Sequence, residues 1–381
     1  MFTMRTAVLV FVMCPGSWPV MQPLEIHSRS QMNAAATVEL LVPTGPFSIG
    51  TKTYNWADGS RHEQASKNPA DSRQLIVQVW YPTEDRSGPA SPYVPMLISY
   101  RHIWEDSDVD VASRTLTHSR LNARPMSGGQ FPIVLLSHGW EGTRSEYTSL
   151  SEDLASHGYA VFGVDHPYMG RVALPDGKVT EASESQFHSP AEIVAYYAKD
   201  LEFVIGQIAE LNRTDPEKTF TDRFDMTRIA AIGHSCGFVA ASGACKRDFR
   251  IKACINIDAP GFGASDLADL EQPLLWIRLQ KAGVVPAEYL KSARAAVYEL
   301  QIDGANHGSV EDWDYLEAAS AAQREAAAKV LQIIRQYVEA FLSKELNHQN
   351  SDLPIPGAGK PGIQWRVYVP AASSNPSRKQ P

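Results

Sequence analysis

From residue 131 onward the chain alternates short continuous apolar runs with longer stretches whose apolar residues recur every three or four positions. Pro132-Ile133-Val134-Leu135-Leu136 and Ala160-Val161-Phe162-Gly163-Val164 read as strands buried on both faces, as do later runs at about 228–234, 252–257, 273–279 and 297–302. Between the first two, Tyr147, Leu150 and Leu154 share one helical face behind a Thr143-x-x-Glu146 capping box, and Gly158 suits the helix end. Ser189-Pro190-Ala191-Glu192 opens a second helix, whose buried stripe runs from Val194 and Tyr197 through Leu201, Val204 and Ile208 to Leu211. An Ala-rich helix covers about 317–346. Strand–helix alternation predicts an α/β fold, with a mostly parallel central sheet and helices on both faces.

The flanking segments read differently. Residues 38–100 are strands and turns of antiparallel character, with a clear strand over Arg73–Tyr81 that Pro82 stops. Residues 84–130 are rich in polar and turn-forming residues and too long for a simple connection, which predicts a structured insertion or lid. After residue 347 the chain becomes rich in Pro and Gly, and within this tail Ile363–Val369 alternates as a docked edge strand would. The expected organisation is therefore an N-terminal segment over 1–35, one domain over 36–346 and a tail over 347–381. In the N-terminal segment, Arg5 precedes the apolar run Thr6–Met13, and Pro15, Gly16 and Pro19 follow it. That order resembles a secretory signal peptide and predicts a secreted or periplasmic protein; a cytoplasmic one is the alternative.

Composition narrows the function classes. The 381 residues are 44% hydrophobic and 20% charged, which excludes general disorder, collagen-like repeats and a coiled coil. A net charge of -8 offers no attraction for phosphate backbones, so a nucleic-acid partner is not expected. No apolar run approaches the roughly 18 residues of a transmembrane span. The four cysteines, Cys14, Cys236, Cys245 and Cys254, are too few for a disulfide scaffold and lack zinc-site spacing. Cys245 and Cys254 sit on adjacent predicted elements; two buried free thiols are expected, with pairing reserved for an exported protein.

The chemistry concentrates at Gly233-His234-Ser235-Cys236-Gly237. A G-x-S-x-G pattern arises by chance in roughly one chain in ten of this length, so the pattern alone says little. Its context says more. An apolar strand precedes it and a helix-compatible segment follows, which is the setting of a nucleophile elbow; the alternative is a glycine-rich turn with an idle serine. A serine hydroxyl needs a base, and in this arrangement the acid and then the base follow the serine along the chain. His307 lies in a loop after the 297–302 strand, on the same rim as the elbow, whereas His348 sits in the polar end of the last helix and reads as solvated. Asp258 ends the first strand after the elbow and is the preferred acid over Glu288 and Asp303. Backbone N–H groups of Cys236 and Trp140 are the candidate oxyanion donors; His138 and His166 read as bracing residues. No cofactor and no metal is called for.

Together these residues resemble the platelet-activating factor acetylhydrolase family, plasma and type II intracellular forms with their bacterial relatives. The resemblance spans about 45–315 and rests on Val79-Trp80-Tyr81-Pro82, Ser137-His138-Gly139, Leu154-Ala155-Ser156-His157-Gly158-Tyr159, the Ser235 motif, Ile257-Asp258-Ala259 and the His307 loop. It implies an α/β-hydrolase fold, calcium-independent ester hydrolysis and the same acid and oxyanion positions, Asp258, Trp140 and Cys236. Cys236 stands where the family often has an aromatic residue, and Trp140 is large where a smaller apolar residue is common; both border the acyl site. The expected function is a serine hydrolase acting through an acyl-enzyme on a small-molecule ester or lipid. A broad esterase, lipase or polyester hydrolase is one alternative, and a non-catalytic binder on the same fold is another. The sequence does not determine the oligomeric state.

Overall fold

The computed structural model describes residues 36–259, 264–280, 283–349, 353 and 362–370. The expected signal segment lies outside these residues. Along the described chain the strands are β1 (Val38–Glu39), β2 (Ser48–His62), β3 (Ser72–Thr83), β4 (Ala90–Pro92), β5 (Thr115–Leu121), β6 (Phe131–Ser137), β7 (Ala160–Asp165), β8 (Phe224–His234), β9 (Ile251–Ile257), β10 (Leu274–Arg278), β11 (Val297–Ile302) and β12 (Ile363–Tyr368). They form one sheet in the order β1-β5-β2-β3-β7-β6-β8-β9-β10-β11-β12, with β4 paired to β5 off that path. From β7 to β11 every neighbouring pair is parallel, while β2–β3, β3–β7 and β11–β12 are antiparallel.

Burial on both faces explains the continuous apolar runs. Ile133 and Leu135 of β6 face one layer with Leu201, Val204 and Ile208 of helix Pro190–Thr214 and Phe238 and Ala241 of helix Gly237–Arg247. Val134 and Leu136 face the other layer, with Leu150 and Leu154 of helix Thr148–Ser156 and Ile334, Val338 and Phe341 of helix Ala321–Asn347. The same alternation holds along β9 and β10, where Cys254 and Trp276 lie with the first layer and Ile255 and Ile277 with the second. Each face is therefore covered by its own helices, as right-handed crossovers between parallel strands require.

Local signals held unevenly. Ser189 and Ser320 cap their helices, accepting from the amides of Glu192 and Gln323 at 3.3 and 3.2 Å. Gly158 ends its helix at φ 105°. The capping box at Thr143 does not form: Thr143 makes no side-chain cap bond, its hydroxyl is buried without a partner, and a 3-10 turn, Arg144–Tyr147, opens the segment instead. Glu146, the expected reciprocal partner, is buried against Gly142.

The insertion is also more integrated than a lid. Its last strand, β5, pairs with β1, β2 and β4 and extends the main sheet. It carries a small apolar core of its own, Tyr93, Val94, Tyr100 and Val111, packed against Trp313 and Tyr315. The tail returns to the sheet as well, because β12 pairs with β11 over six residues from Ile363↔Ile302 to Tyr368↔Val297.

Cys245 and Cys254 are joined as a disulfide between helix Gly237–Arg247 and β9, which replaces the expectation of free thiols. With a sequence separation of 9, the bond closes a short loop, worth about 2–3 kcal/mol by chain-entropy reasoning. Intact mass should rise by one hydrogen per sulfur on reduction, and the Cys245→Ser/Cys254→Ser double variant should melt several degrees lower. Equal melting temperatures with and without the pair would remove it as a stabilising feature.

Candidate active site

The turn that presents Ser235 is built by close backbone approach. Ser235 follows β8 directly and adopts φ 52°, a left-handed conformation that costs an ordinary residue roughly 1–2 kcal/mol. Its amide donates to Ile257 O at 3.0 Å, extending the β8–β9 ladder by one step. The two glycines of the motif are required on steric grounds. A Cβ on Gly233 would stand 2.4 Å from the backbone N of Phe238, and one on Gly237 would stand 2.3 Å from Ser137 O. The helix therefore starts pressed against both its own strand and the end of β6.

The next two candidates meet Ser235 at this rim. His307 Nε2 lies 2.9 Å from Ser235 Oγ, and His307 Nδ1 lies 2.8 Å from Asp258 Oδ2. A carboxylate only accepts, so Nδ1 carries the proton and Nε2 is left as the acceptor for the serine hydroxyl. The other oxygen of Asp258 accepts from the amides of Leu279 and Gln280 at 2.8 and 3.2 Å. Asp258 is itself left-handed at φ 49°, with its amide on Ile277 O at 2.8 Å. His307 begins a 3-10 turn that Asn306 caps, accepting from Gly308 N at 2.8 Å, while Asn306 Nδ2 donates to Asp314. The other sequence candidates stand elsewhere: Glu288, Asp303 and His348 are exposed, on a short helix, after β11 and at the end of helix Ala321–Asn347.

The loop after β6 lies against the elbow, and a Cβ on Gly139 would come within 3.5 Å of Ser235 Cβ. Gly139 O accepts from His138 Nδ1 at 2.7 Å and from Gly142 N at 3.2 Å. His138 Nε2 accepts from His166 N at 3.0 Å, which places its proton on Nδ1. Burial, and then the neighbouring His166, push the His138 pKa down to about 4, so the ring is neutral. In a trans peptide the C=O and N–H point in opposite directions. Holding Gly139 O from the His138 side therefore turns the Trp140 N–H away from it, off the other side of that peptide. Cys236 begins helix Gly237–Arg247, where the helix dipole favours negative charge. His166 braces this loop from beneath: its Nε2 is 3.1 Å from Ser137 Oγ and its Nδ1 is 2.8 Å from Asp200. Burial would raise the Asp200 pKa, but Arg73 and the His166 bond hold it far below the usual carboxylate range.

Beside this loop opens a cavity of about 350 Å³ lined by His102, Ile103, Glu141, Arg171, Glu181 and Ala182. Its walls are mainly polar, and Arg171 pairs with Glu141 at 2.9 Å, one residue beyond Trp140. Among the described residues no group of three or more His, Cys, Asp or Glu side chains is arranged to hold a metal. Among the same residues no helix is long and apolar enough to cross a membrane. The sequence reading missed the buried polar layer behind the rim. In the sequence His234 is a variable position of its motif, Tyr147 is one position on an apolar helical face, and Glu311 carries no motif signal. A burial profile could have flagged His234, but hydrophobic periodicity cannot distinguish a tyrosine hydroxyl with partners from one without.

Comparison with known proteins agrees with this geometry. The family model described as Chlorophyllase matches residues 100–278. A probable 1-alkyl-2-acetylglycerophosphocholine esterase from Arthroderma benhamiae is 28% identical over 242 residues, covering 58% of this chain and 59% of that protein. The platelet-activating factor acetylhydrolase of Bos taurus is 25% identical over 193 residues, 43% of this chain and 44% of that protein. The chain thus spans between two fifths and three fifths of these curated relatives. A ferulic acid esterase from Streptomyces cinnamoneus superposes with a TM-score of 0.70 at 30% identity, covering 87% of this chain and 99% of the other. The chain belongs to the α/β-hydrolase superfamily, and over part of its length it is similar to platelet-activating factor acetylhydrolases.

Just beyond the His307 turn, Asp312 is fully buried, with Oδ2 accepting from Ser149 N at 3.1 Å and Oδ1 unpartnered. Burial pushes its pKa up to about 7, against 3.8 ordinarily. Between these values the folded chain keeps a proton that the unfolded chain has released, so this group's contribution to stability falls as pH rises, on the order of 1.4 kcal/mol per unit. Asp312→Asn cannot ionise. The melting temperature of the variant relative to wild type should climb from about pH 4 to about pH 7 and level off above it; a constant difference from about pH 4 to about pH 7 would show that Asp312 does not titrate there.

Proposed function

We propose that this protein hydrolyses carboxylic esters of small molecules through an acyl-enzyme on Ser235. The observation that carries the reading is the His307 ring, within hydrogen-bond reach of the serine hydroxyl on one nitrogen and of Asp258 on the other. Distances of 2.9 and 2.8 Å are those a base and its orienting carboxylate need. The family resemblance and the names of the relatives support the same reading.

In this scheme Ser235 Oγ attacks the ester carbonyl as its proton passes to His307 Nε2. Asp258 keeps the imidazole in the required tautomer and stabilises the imidazolium, while its second oxygen is held by two amides and stays in place. The carbonyl oxygen takes on negative charge between the N–H groups of Trp140 and Cys236; one such donor is typically worth about 3 kcal/mol. His307 then gives its proton to the leaving alcohol, which departs as the acyl-enzyme forms. Water enters, loses a proton to His307 and attacks the acyl carbon, releasing the acid and restoring Ser235. No step calls for a metal.

The relatives' names concern a short-acyl lipid ester and an ester of a phenolic acid. If the polar cavity lined by Glu141 and Arg171, next along the chain from Trp140, receives part of the substrate, it favours one with a hydrogen-bonding portion over a plain long-chain lipid. Ser235→Ala should abolish turnover of p-nitrophenyl acetate and labelling by a phosphonate, and Asp258→Asn should lower kcat on the order of 10³–10⁴-fold. Glu288→Gln should leave the rate near wild type. Full activity in the serine variant would end the reading, and a larger loss in Glu288→Gln than in Asp258→Asn would move the acid. Across acetyl, butyryl and octanoyl esters kcat/KM should fall with chain length; a rise toward octanoyl would favour a lipase.

A further inference from the structure

The three loops that meet at Ser235 share one buried hydroxyl. Tyr147, 1% exposed, ends the 3-10 turn before helix Thr148–Ser156. Its Oη accepts from Gly139 N at 3.1 Å, in the loop that carries Trp140. It also lies 2.7 Å from Nδ1 of His234, the residue before Ser235. His234 Nε2 in turn lies 2.9 Å from His307 O, in the loop that carries the base. Glu311, four residues after His307, faces the same hydroxyl at 3.3 Å.

The direction of each bond follows from the inventory of donors. His307 O is a carbonyl and only accepts, so His234 Nε2 carries the proton. Burial, and then His307, hold the His234 pKa well below the ordinary imidazole value, so the ring is neutral and its Nδ1 is an acceptor. Tyr147 therefore receives the Gly139 amide on its oxygen and directs its one proton to His234 Nδ1, the nearer acceptor at 2.7 Å, with Glu311 Oε1 a second and more distant acceptor at 3.3 Å. Gly139 is held on both sides, since its carbonyl is already fixed by His138 and Gly142. Neither packing nor helix propensity requires this hydroxyl: the ring alone satisfies the apolar cluster that contains Leu150 and Leu154.

We propose that Tyr147 is a positioning residue for the reaction, whose hydroxyl sets the spacing between the Trp140 oxyanion donor and the His307 base by tying Gly139 and, through His234, the His307 backbone to one point. The inference rests on the ester-hydrolase reading above. It differs from a merely structural role in what it should change. A structural role alters how much protein is folded and competent; a positioning role alters the rate of each competent site.

The test uses the full chain with p-nitrophenyl acetate, rates normalised to Ser235 sites titrated by a phosphonate, and inhibition by an alkyl trifluoromethyl ketone. Tyr147→Phe keeps the ring and removes the hydroxyl. Per titrated site, kcat should fall about 10- to 100-fold with KM within about threefold, and the ketone should weaken in step with kcat/KM, because its adduct needs the oxyanion donor. His234→Phe should show the same pattern, and the double variant should cost little more than the worse single one. A per-site kcat within about twofold of wild type, or fully additive losses, would overturn the proposal. If Tyr147→Phe does not fold, the per-site kcat of His234→Phe decides between the same two outcomes. Absence of Ser235-dependent turnover in the wild type would sink the hydrolase reading and this inference with it, whereas active wild type beside an unimpaired Tyr147→Phe sinks this inference alone.

Discussion

The site depends on the common register of four parallel strands. Ser137 of β6 pairs with Gly233 of β8, Gly233 with Asn256 of β9, and Ile257 of β9 with Ile277 of β10. All of these strands therefore stop at one level. The ladder then continues one residue past each end: Ser235 N reaches Ile257 O, and Asp258 N reaches Ile277 O. Both residues are left-handed, a conformation that L-residues disfavour. Each is pinned at its amide by the neighbouring strand and leaves at once into a new direction, so the side chain projects from the rim instead of lying in the sheet. The strain is local, and the cooperative sheet that opposes it is large.

A second constraint is the polar layer that this arrangement buries. His138, His166 and His234 are all at or below 2% exposure, and each has partners on both ring nitrogens. An unpaired buried polar group costs on the order of 1–3 kcal/mol, so such a layer admits few arrangements. The complete set of donors and acceptors decides which nitrogen of each ring carries its proton, and with it the direction of the Gly139–Trp140 peptide. Arg73, also fully buried, anchors this layer by pairing with Asp200 and Glu63 at 2.6 and 2.8 Å. Removing either carboxylate would leave a buried guanidinium uncompensated, so the far end of the layer is held more by the penalty for breaking it than by any net gain.

Much of the fold and of the candidate site was legible because the signals were short-range or followed from the chain order. Strands buried on two faces must be apolar throughout, so their runs stand out, and β6 to β11 fall within a few residues of the predicted ranges. Ser235 is marked by its glycines, His307 by its position after the 297–302 strand, and Asp258 by its place at the end of the first strand after the elbow. What stayed hidden is decided by tertiary contact. Thr143-x-x-Glu146 has the residues of a capping box, but the Gly142 turn and burial draw Glu146 inward and the first turn tightens to 3-10. The Cys245–Cys254 bond depends on how a helix lies over a strand, which spacing does not encode. Tyr147 had an apolar neighbourhood and periodicity to explain it, so nothing in the sequence asked for a role for its oxygen.

The insertion bears on how the site is covered. A lid needs a hinge and a face that parts easily from the body. Here β5 is stitched into the sheet through β1 and β2. The aromatic face of the insertion is locked to the segment after His307, with Trp104 and Tyr93 edge-on to Trp313 at ring separations of 5.7 and 6.0 Å. Tyr100 Oη holds the amide of Ala173 at 3.1 Å, joining the insertion to the loop that carries Arg171. His102 and Ile103, which close one side of the polar cavity, lie just beyond Tyr100 on this anchored frame. The cavity's His102–Ile103 side is consequently a built wall and not a flap, carried on a frame whose aromatic contacts reach Trp313, shortly after the His307 turn. On the hydrolase reading proposed above, the wall of that cavity and the segment after His307 draw on one set of packed rings, so a substitution at Trp104 or Trp313 would disturb both together.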